Sequence, residues 1–288
     1  MSQSSDKSAS DKIVLLVDAK NALYRAIYAV KADVRSQFKN HYMVVFLRQI
    51  ASWIRRHNPE SVHVFWDAPR KEVWRRSVSP TYKDRTSSTY VEDISADLAS
   101  TTAIAMEMFK YLNVRQYFKK QMEADDLIYT AASLIHPKRN VIVSTDSDML
   151  QVPFMFSSSS VYDPKKSVMV EVPKHNPALM KAIVGDKSDL IIGYHGIGPV
   201  KGAMLLDNPI HLQEFLNLKG RDIYHRNMLL TDLSLCPKIM ANKLYVQKTM
   251  ASSIEFAKPS VLELSKKYKL VGLEIEYADI IPPFMQLS

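Results

Sequence analysis

Three short apolar runs in this chain each end near an aspartate. Ile13–Val17 (IVLLV) leads into Asp18, Val62–Trp66 (VHVFW) into Asp67, and Val141–Thr145 (VIVST) into Asp146. Short continuous runs rich in β-branched residues predict strands buried on both faces, the pattern of a parallel sheet. Between them, helical patterns cover Ala22–Val30, Met43–Arg56, Ile94–Leu112 and Asp125–Ile135. Alternation of strand and helix predicts an α/β fold with a mostly parallel sheet. In such sheets the residues just past the strand carboxyl ends line the binding crevice. Three separate strands therefore deliver an aspartate to one place. A single aspartate there is adequately explained as a helix N-cap; three, with more acids downstream, exceed what capping requires.

Val161–Val172 (VYDPKKSVMVEV) predicts a β-hairpin turning at Pro164 to Ser167. After Pro177 the strand signal fades and the chain reads as helical, which puts a boundary near residues 173–180. The expected organisation is a polar, disordered tail over 1–12, an α/β core over 13–178, and a helical region over 179–288. No apolar run reaches membrane-spanning length and no signal-peptide pattern is present. Cys236 is the only cysteine, which excludes an intramolecular disulfide and a cysteine-based zinc site and suits a reducing compartment.

The acids carry the chemistry. Asp18, Asp67, Glu123, Asp125, Asp126, Asp146, Asp148, Asp186 and Asp189 all fall at punctuation points between apolar runs. Crowded carboxylates repel and raise one another's pKa; a hard cation among them relieves that cost, and Mg²⁺ or Mn²⁺ prefers oxygen ligands. Asp146-Ser-Asp148 lacks the glycine that an EF-hand loop needs, so the set does not read as a calcium hand. Two metals about 4 Å apart serve phosphodiester chemistry, and seven to nine carboxylates are about what holding them takes. The net charge of +8 is reached despite these acids, so the rest of the molecule is strongly basic. A basic body around an acidic pocket suits a polyanion held against metal ions. Of only seven glycines, five (Gly185, Gly193, Gly196, Gly198, Gly202) lie within eighteen residues, where the backbone must turn tightly or approach a ligand.

The segments LVDAKNALYRAIYA (16–29), EADD (123–126), STDSDMLQ (144–151) and GDKSDLIIGYHGIGPVKGA (185–203), in that order, resemble the 5′-nuclease or flap endonuclease superfamily, and within it the bacteriophage and bacterial 5′→3′ exonuclease branch. RNMLLTDL (226–233) is similar to a late family segment, more weakly. The resemblance implies a PIN-like nuclease core with a helical arch over about 83–120, then a helical DNA-binding region with a helix–two-turn–helix element. It implies a first metal among Asp18, Asp67, Glu123, Asp125 and Asp146. A second would lie at Asp148, Asp186 and Asp189, sharing Asp125 or Asp146, with Asp126 acting directly or through water. Lys83 would polarise the scissile phosphate, so that Lys83, Asp18, Asp67 and Asp146 form the catalytic set. Tyr24 would stack on a base and Arg25 bind a phosphate. A K⁺ ion is implied at the glycine-rich loop.

Between Arg70 and Arg85 six basic residues (Arg70, Lys71, Arg75, Arg76, Lys83, Arg85) face only Glu72 and Asp84. A solvated helix face is the usual reading of such a run; beside a metal crevice, phosphate contact is expected, with Tyr82 and Arg85 at the arch base. Gly193, Gly196, Gly198 and Lys201 are expected to meet duplex backbone. Leu190 stands where the family commonly has Asn, and Val200 where it has Lys. The expected activity is Mg²⁺-dependent hydrolysis of DNA near 5′ ends, flaps or nicks, with RNA in RNA–DNA hybrids a further substrate. The resemblance implies a monomer in the cytoplasm of a bacterial or phage-infected cell, with a single-strand-binding protein or polymerase as the kind of replication partner. The rival readings are a PIN-type ribonuclease, which lacks the glycine-rich element, and a catalytically silent DNA-binding protein, which has no reason to keep the acids.

Overall fold

The structure, a computed structural model, describes residues 12–30, 40–84 and 89–287, the side chains of 89–95 excepted. Arg85 and nearly all of the expected tail lie outside the described residues. The order runs β1 (Val14–Asp18), α1 (Ala19–Ala29), α2 (His41–His57), β2 (Ser61–Trp66), α3 (Thr89–Met108), β3 (Arg115–Phe118), α4 (Ala124–Ile135), β4 (Asn140–Val143), β5 (Ser159–Asp163) and β6 (Val168–Val170). The strands form one sheet in the order β3-β2-β1-β4-β5-β6, parallel except for β6, which closes a hairpin with β5 as expected. Register carries the aspartates to one edge: Val17 pairs with both Val64 and Val143, and Asp18 lies beside Phe65.

Alternate residues of the central strands enter different cores, which is why the runs are apolar throughout. Leu15, Val17, Val64 and Val143 pack with α1 and α2, while Leu16, Phe65 and Ile142 pack with α4. Helix α2 ends on Asn58 in the left-handed conformation at φ 46°, and Arg55, Arg56 and His57 occupy its last turn, where positive charge meets the negative end of the helix dipole.

Further on come α5 (Pro177–Val184), β7 (Gly185–Asp186) paired with β8 (Ile191–Ile192), α6 (Pro199–Asp207), α7 (Pro209–Lys219), α8 (Asp222–Thr231) and α9 (Ile239–Met250). Ile183, Tyr194 and Leu216 form a small core of their own here. The remaining chain returns to the sheet: Val246 joins the α4 side, and Val261, Leu273, Ile280 and Phe284 join the α2 side. Residues on both sides of the expected boundary thus share a core, and Arg48 of α2 pairs through two bonds with Glu276.

One expectation is corrected. Arg115–Phe118, placed in the arch by sequence, is β3 at the edge of the sheet. Ile104, Met108, Phe109 and Leu112 just before it are buried in the main core, so this part of the expected arch belongs to the packed body.

Candidate active site

At the carboxyl edge of the sheet lies a cleft of about 580 Å³, lined by Asp18, Asp67, Glu123, Asp125, Asp146 and Asp189. Capping and cleft-lining prove compatible. Asp18 caps α1, accepting from Asn21 N at 3.1 Å through one oxygen, while the other accepts from Ser144 Oγ at 3.0 Å. Asp146 accepts from Asp148 N at 2.9 Å. Asp67 accepts from Ala124 N at 2.8 Å, which ties β2 to the start of α4. These bonds fix the orientation of each carboxylate.

The charges are crowded. Burial, then Asp67 and Asp146, push Asp18 up to about 7. Burial and Asp146 push Asp125 well above the carboxylate range. Burial also lifts Asp148 to about 6 against the pull of Lys181, and lifts Asp189 against that of Lys83. Oxygens of Asp125, Asp146 and Asp148 lie within 4.8 Å of one another. This donor set is oxygen alone, with no His or Cys, and it is over-charged for its burial. Both features fit a hard divalent cation.

Three lysines offset part of the charge. Lys83 Nζ lies 2.8 Å from Glu123 Oε1 and 3.6 Å from Asp189 Oδ2, its backbone held at φ 52°. Lys20 meets Asp67 at 3.1 Å, and Lys181 bridges Asp148 and Asp186 at 2.6 Å each. Despite its burial, Lys181 and Ser188 hold Asp186 down at about 2. Asp148 and Asp186 therefore face Lys181 at the margin of the cleft and do not line it. Lys20 and Lys181 could not be foreseen, since an isolated lysine carries no periodic signal.

Asp126 departs from expectation. It is fully buried, and its two oxygens accept from Arg75 Nη1 and Nη2, Trp74 Nε1 and the Glu123 amide at 2.8–3.1 Å. With those lone pairs engaged, its side chain lies outside the cleft lining and holds the start of α4 to Arg75 and Trp74. Arg75 is corrected likewise. Its guanidinium, 2 % exposed, is spent on Asp126, Glu123 and the Leu230 carbonyl, so none of it is offered to phosphate. Glu123 is shared between Arg75 and Lys83, which hold it down at about 2 against the effect of burial.

Among the expected nucleic-acid contacts, Tyr24, Arg70 and Lys83 line the cleft. Tyr28, one turn after Tyr24, joins them unforeseen, the two rings stacked at 6.2 Å and 17°. The i, i+4 spacing was the available signal. Arg25 lies on another face of α1, in a separate hollow with Arg48, Arg56 and Tyr162, because one residue along a helix turns the side chain by about 100°. Tyr82 is 3 % exposed, its hydroxyl on Glu123 at 3.2 Å, so its ring is unavailable for stacking on a base.

The glycines divide into two kinds. A Cβ on Gly193 would stand 2.2 Å from the Val184 carbonyl carbon, so this glycine serves the close packing of β8 against α5. Gly196, at φ 76°, and Gly198 leave open space where a Cβ would stand, just before α6. Lys201 donates to the Gly196 carbonyl at 3.2 Å.

The chain is similar in sequence and fold to several known proteins. A relative from Mycoplasma genitalium, a 5′-3′ exonuclease, is 25 % identical over 289 residues, covering 91 % of each chain. The 5′-3′ exonuclease of Aquifex aeolicus is 26 % identical, covering 92 % of this chain and 93 % of its own. Flap endonuclease Xni of Shewanella denitrificans is 26 % identical over 67 % of this chain and 77 % of its own. Among solved structures, the T5 D15 protein co-crystallised with metal ions shares the fold at TM-score 0.65 and 19 % identity, over 90 % of this chain and 98 % of that one. The bacteriophage T5 D15 flap endonuclease in a pseudo-enzyme–product complex with DNA and metal ions does so at TM-score 0.67 and 19 % identity, over 88 % of this chain and the whole of that one. The model of the 5′-3′ exonuclease N-terminal resolvase-like domain matches residues 13–176, the span that carries every strand of the main sheet and most of the cleft acids. The chain belongs to the 5′-3′ exonuclease family.

Proposed function

We propose that this protein is a structure-specific 5′-nuclease that hydrolyses DNA phosphodiesters near 5′ ends, flaps and nicks with Mg²⁺. The observation that carries the reading is the convergence of six acids, Lys83 and two stacked tyrosines on one cleft. Bound divalent ions would supply what carboxylates cannot, an activated water and charge neutralisation at the scissile phosphate. Asp18, Asp67, Asp125, Asp146 and Asp189 are the residues that would hold them, with Asp148 and Asp186 once Lys181 turns aside.

The side chains divide the remaining work. Lys83 sits where negative charge develops as the phosphorus centre becomes five-coordinate, and a fixed cation there lowers the barrier. Tyr24 and Tyr28 present an aromatic face to a base unpaired at the cleft mouth, a contact worth about 1–3 kcal/mol. Arg70 adds a phosphate contact on the cleft wall. The open backbone at Gly196 and Gly198 suits a duplex phosphate approaching the start of α6, where K⁺ would serve as a bridge. Such backbone contacts read no bases, so binding is independent of sequence.

The test is a gel assay on 5′-flap, nicked and single-stranded DNA with Mg²⁺ or with EDTA. Cleavage that needs the metal and favours the flap or nick supports the reading. Binding without cleavage under every metal condition refutes it, and cleavage of single-stranded RNA alone transfers the protein to the ribonuclease reading.

A further inference from the structure

Beside the cleft lies a second concavity of about 850 Å³. Its basic residues come from three separate segments: Lys71 and Arg76 after β2, Lys120 after β3, and Lys238 before α9. Glu72 is the one acid among its lining residues. Lys71, Lys120 and Lys238 are all exposed. Val73 lines both hollows, and Arg70 on the cleft side is followed directly by Lys71 on the groove side. The cleft and the basic groove therefore lie against the same short segment, Arg70–Val73. No residue of the groove belongs to the glycine-rich element or to α6.

Arg76 meets Asp84 at 3.7 Å, so the field of the groove comes from Lys71, Lys120 and Lys238 against Glu72; such a field attracts a polyanion and guides a charged chain along its length. The groove adjoins a cleft that we read as gripping a phosphodiester. We propose that this groove holds the phosphate backbone of the nucleic-acid substrate beyond the cleft, as a second binding track distinct from the one at Gly196 and Gly198. The inference rests on the nuclease reading and extends it. Contacts of this kind position a strand without reading its sequence.

Each phosphate neutralised by protein steepens the dependence of log affinity on log salt by about 0.9 on duplex DNA and about 0.7 on a single strand. The experiment is fluorescence anisotropy of a labelled 5′-flap DNA in EDTA, titrated across salt concentrations. It compares the wild type with the K120Q/K238Q pair and with E72Q, after circular dichroism confirms folding. The groove predicts that the lysine pair weakens binding and flattens the slope by about 1.4–1.8, two contacts' worth. E72Q should act the other way, tightening binding, which damage to the fold would not do. A slope unchanged in the lysine pair, or weaker binding in E72Q, overturns the second track while leaving the cleft intact. A wild type with no salt-dependent affinity for the flap overturns both the track and the nuclease reading on which it rests.

Discussion

Leu190 carries a conformational cost that its side chain does not repay. It stands at φ 57°, 41 % exposed, in the turn between Asp186 and β8. A branched side chain in the left-handed region costs about 1–2 kcal/mol, which Asn largely avoids. L190N should therefore stabilise the protein by about 1 kcal/mol in urea unfolding; an unchanged or lower midpoint would refute the strain argument. Lys83 is also at positive φ, and there the strain buys position: its amide donates to the Asp189 carbonyl at 3.1 Å and its ammonium reaches Glu123. Lys83→Ala should lower single-turnover cleavage by about 10²-fold or more, the scale of one lost electrostatic stabiliser. A variant that cleaves normally once saturated with DNA would reduce Lys83 to a binding residue. Asp18, Asp67, Asp125 and Asp146 were legible as a group because each follows a strand or opens a helix. The pairing of Asp126 with Arg75 was not legible because the two lie fifty-one residues apart in sequence, and nothing in EADD distinguishes an acid facing the cleft from one facing an arginine.

At the scale of elements, the buried Arg75 cluster joins three of them. It ties the short helix Arg75–Val78 to the first turn of α4 through Asp126 and Glu123, and to the end of α8 through the Leu230 carbonyl. Removing one partner of such a pair leaves the others charged and unpaired in the interior, a cost of about 3–5 kcal/mol. Arg75→Ala should lose stability on that scale in equilibrium unfolding, whereas a surface phosphate-binding arginine would lose less than about 0.5 kcal/mol. The strands β1, β2 and β4 were readable because burial on both faces makes them uniformly apolar. β3 was not: at the sheet edge, RQYF buries only Tyr117, and its polar remainder fits a loop as well as a strand. The expected arch took in Ile104 to Leu112 because a helical period serves core packing and an exposed arch equally.

For the whole molecule, the acid cleft makes stability, pH and metal depend on one another. The carboxyls of Asp18 and Asp148 are raised in the folded state to about 7 and about 6 from an ordinary value of 3.8. A raised acid favours the folded state while protonated, so its contribution is complete below about pH 4 and lost as pH climbs through 6 and 7. Without metal the protein should become less stable across that window, and Mg²⁺ should restore more stability at pH 8 than at pH 5. Thermal melts with Mg²⁺ and with EDTA at both pH values check this; a metal-induced shift no larger at pH 8 would contradict the crowding. The general plan, an acidic centre in a basic body, was visible from composition. The return of residues 239–287 to the central cores was not, because helix periodicity says which face is apolar and not what covers it.

The central claim is that the acids of the cleft hold metal for phosphodiester hydrolysis while Asp126 holds the fold. Asp146→Asn and Asp126→Asn separate the two most directly, with Mg²⁺ titrated calorimetrically into each protein and single-turnover cleavage of a 5′-flap measured alongside. The account predicts that Asp146→Asn keeps or gains stability without metal, binds Mg²⁺ weakly and does not cut. Asp126→Asn should bind Mg²⁺ as the wild type does and lose stability instead. Near wild-type Mg²⁺ affinity and turnover in Asp146→Asn, or loss of metal binding in a folded Asp126→Asn, would contradict it.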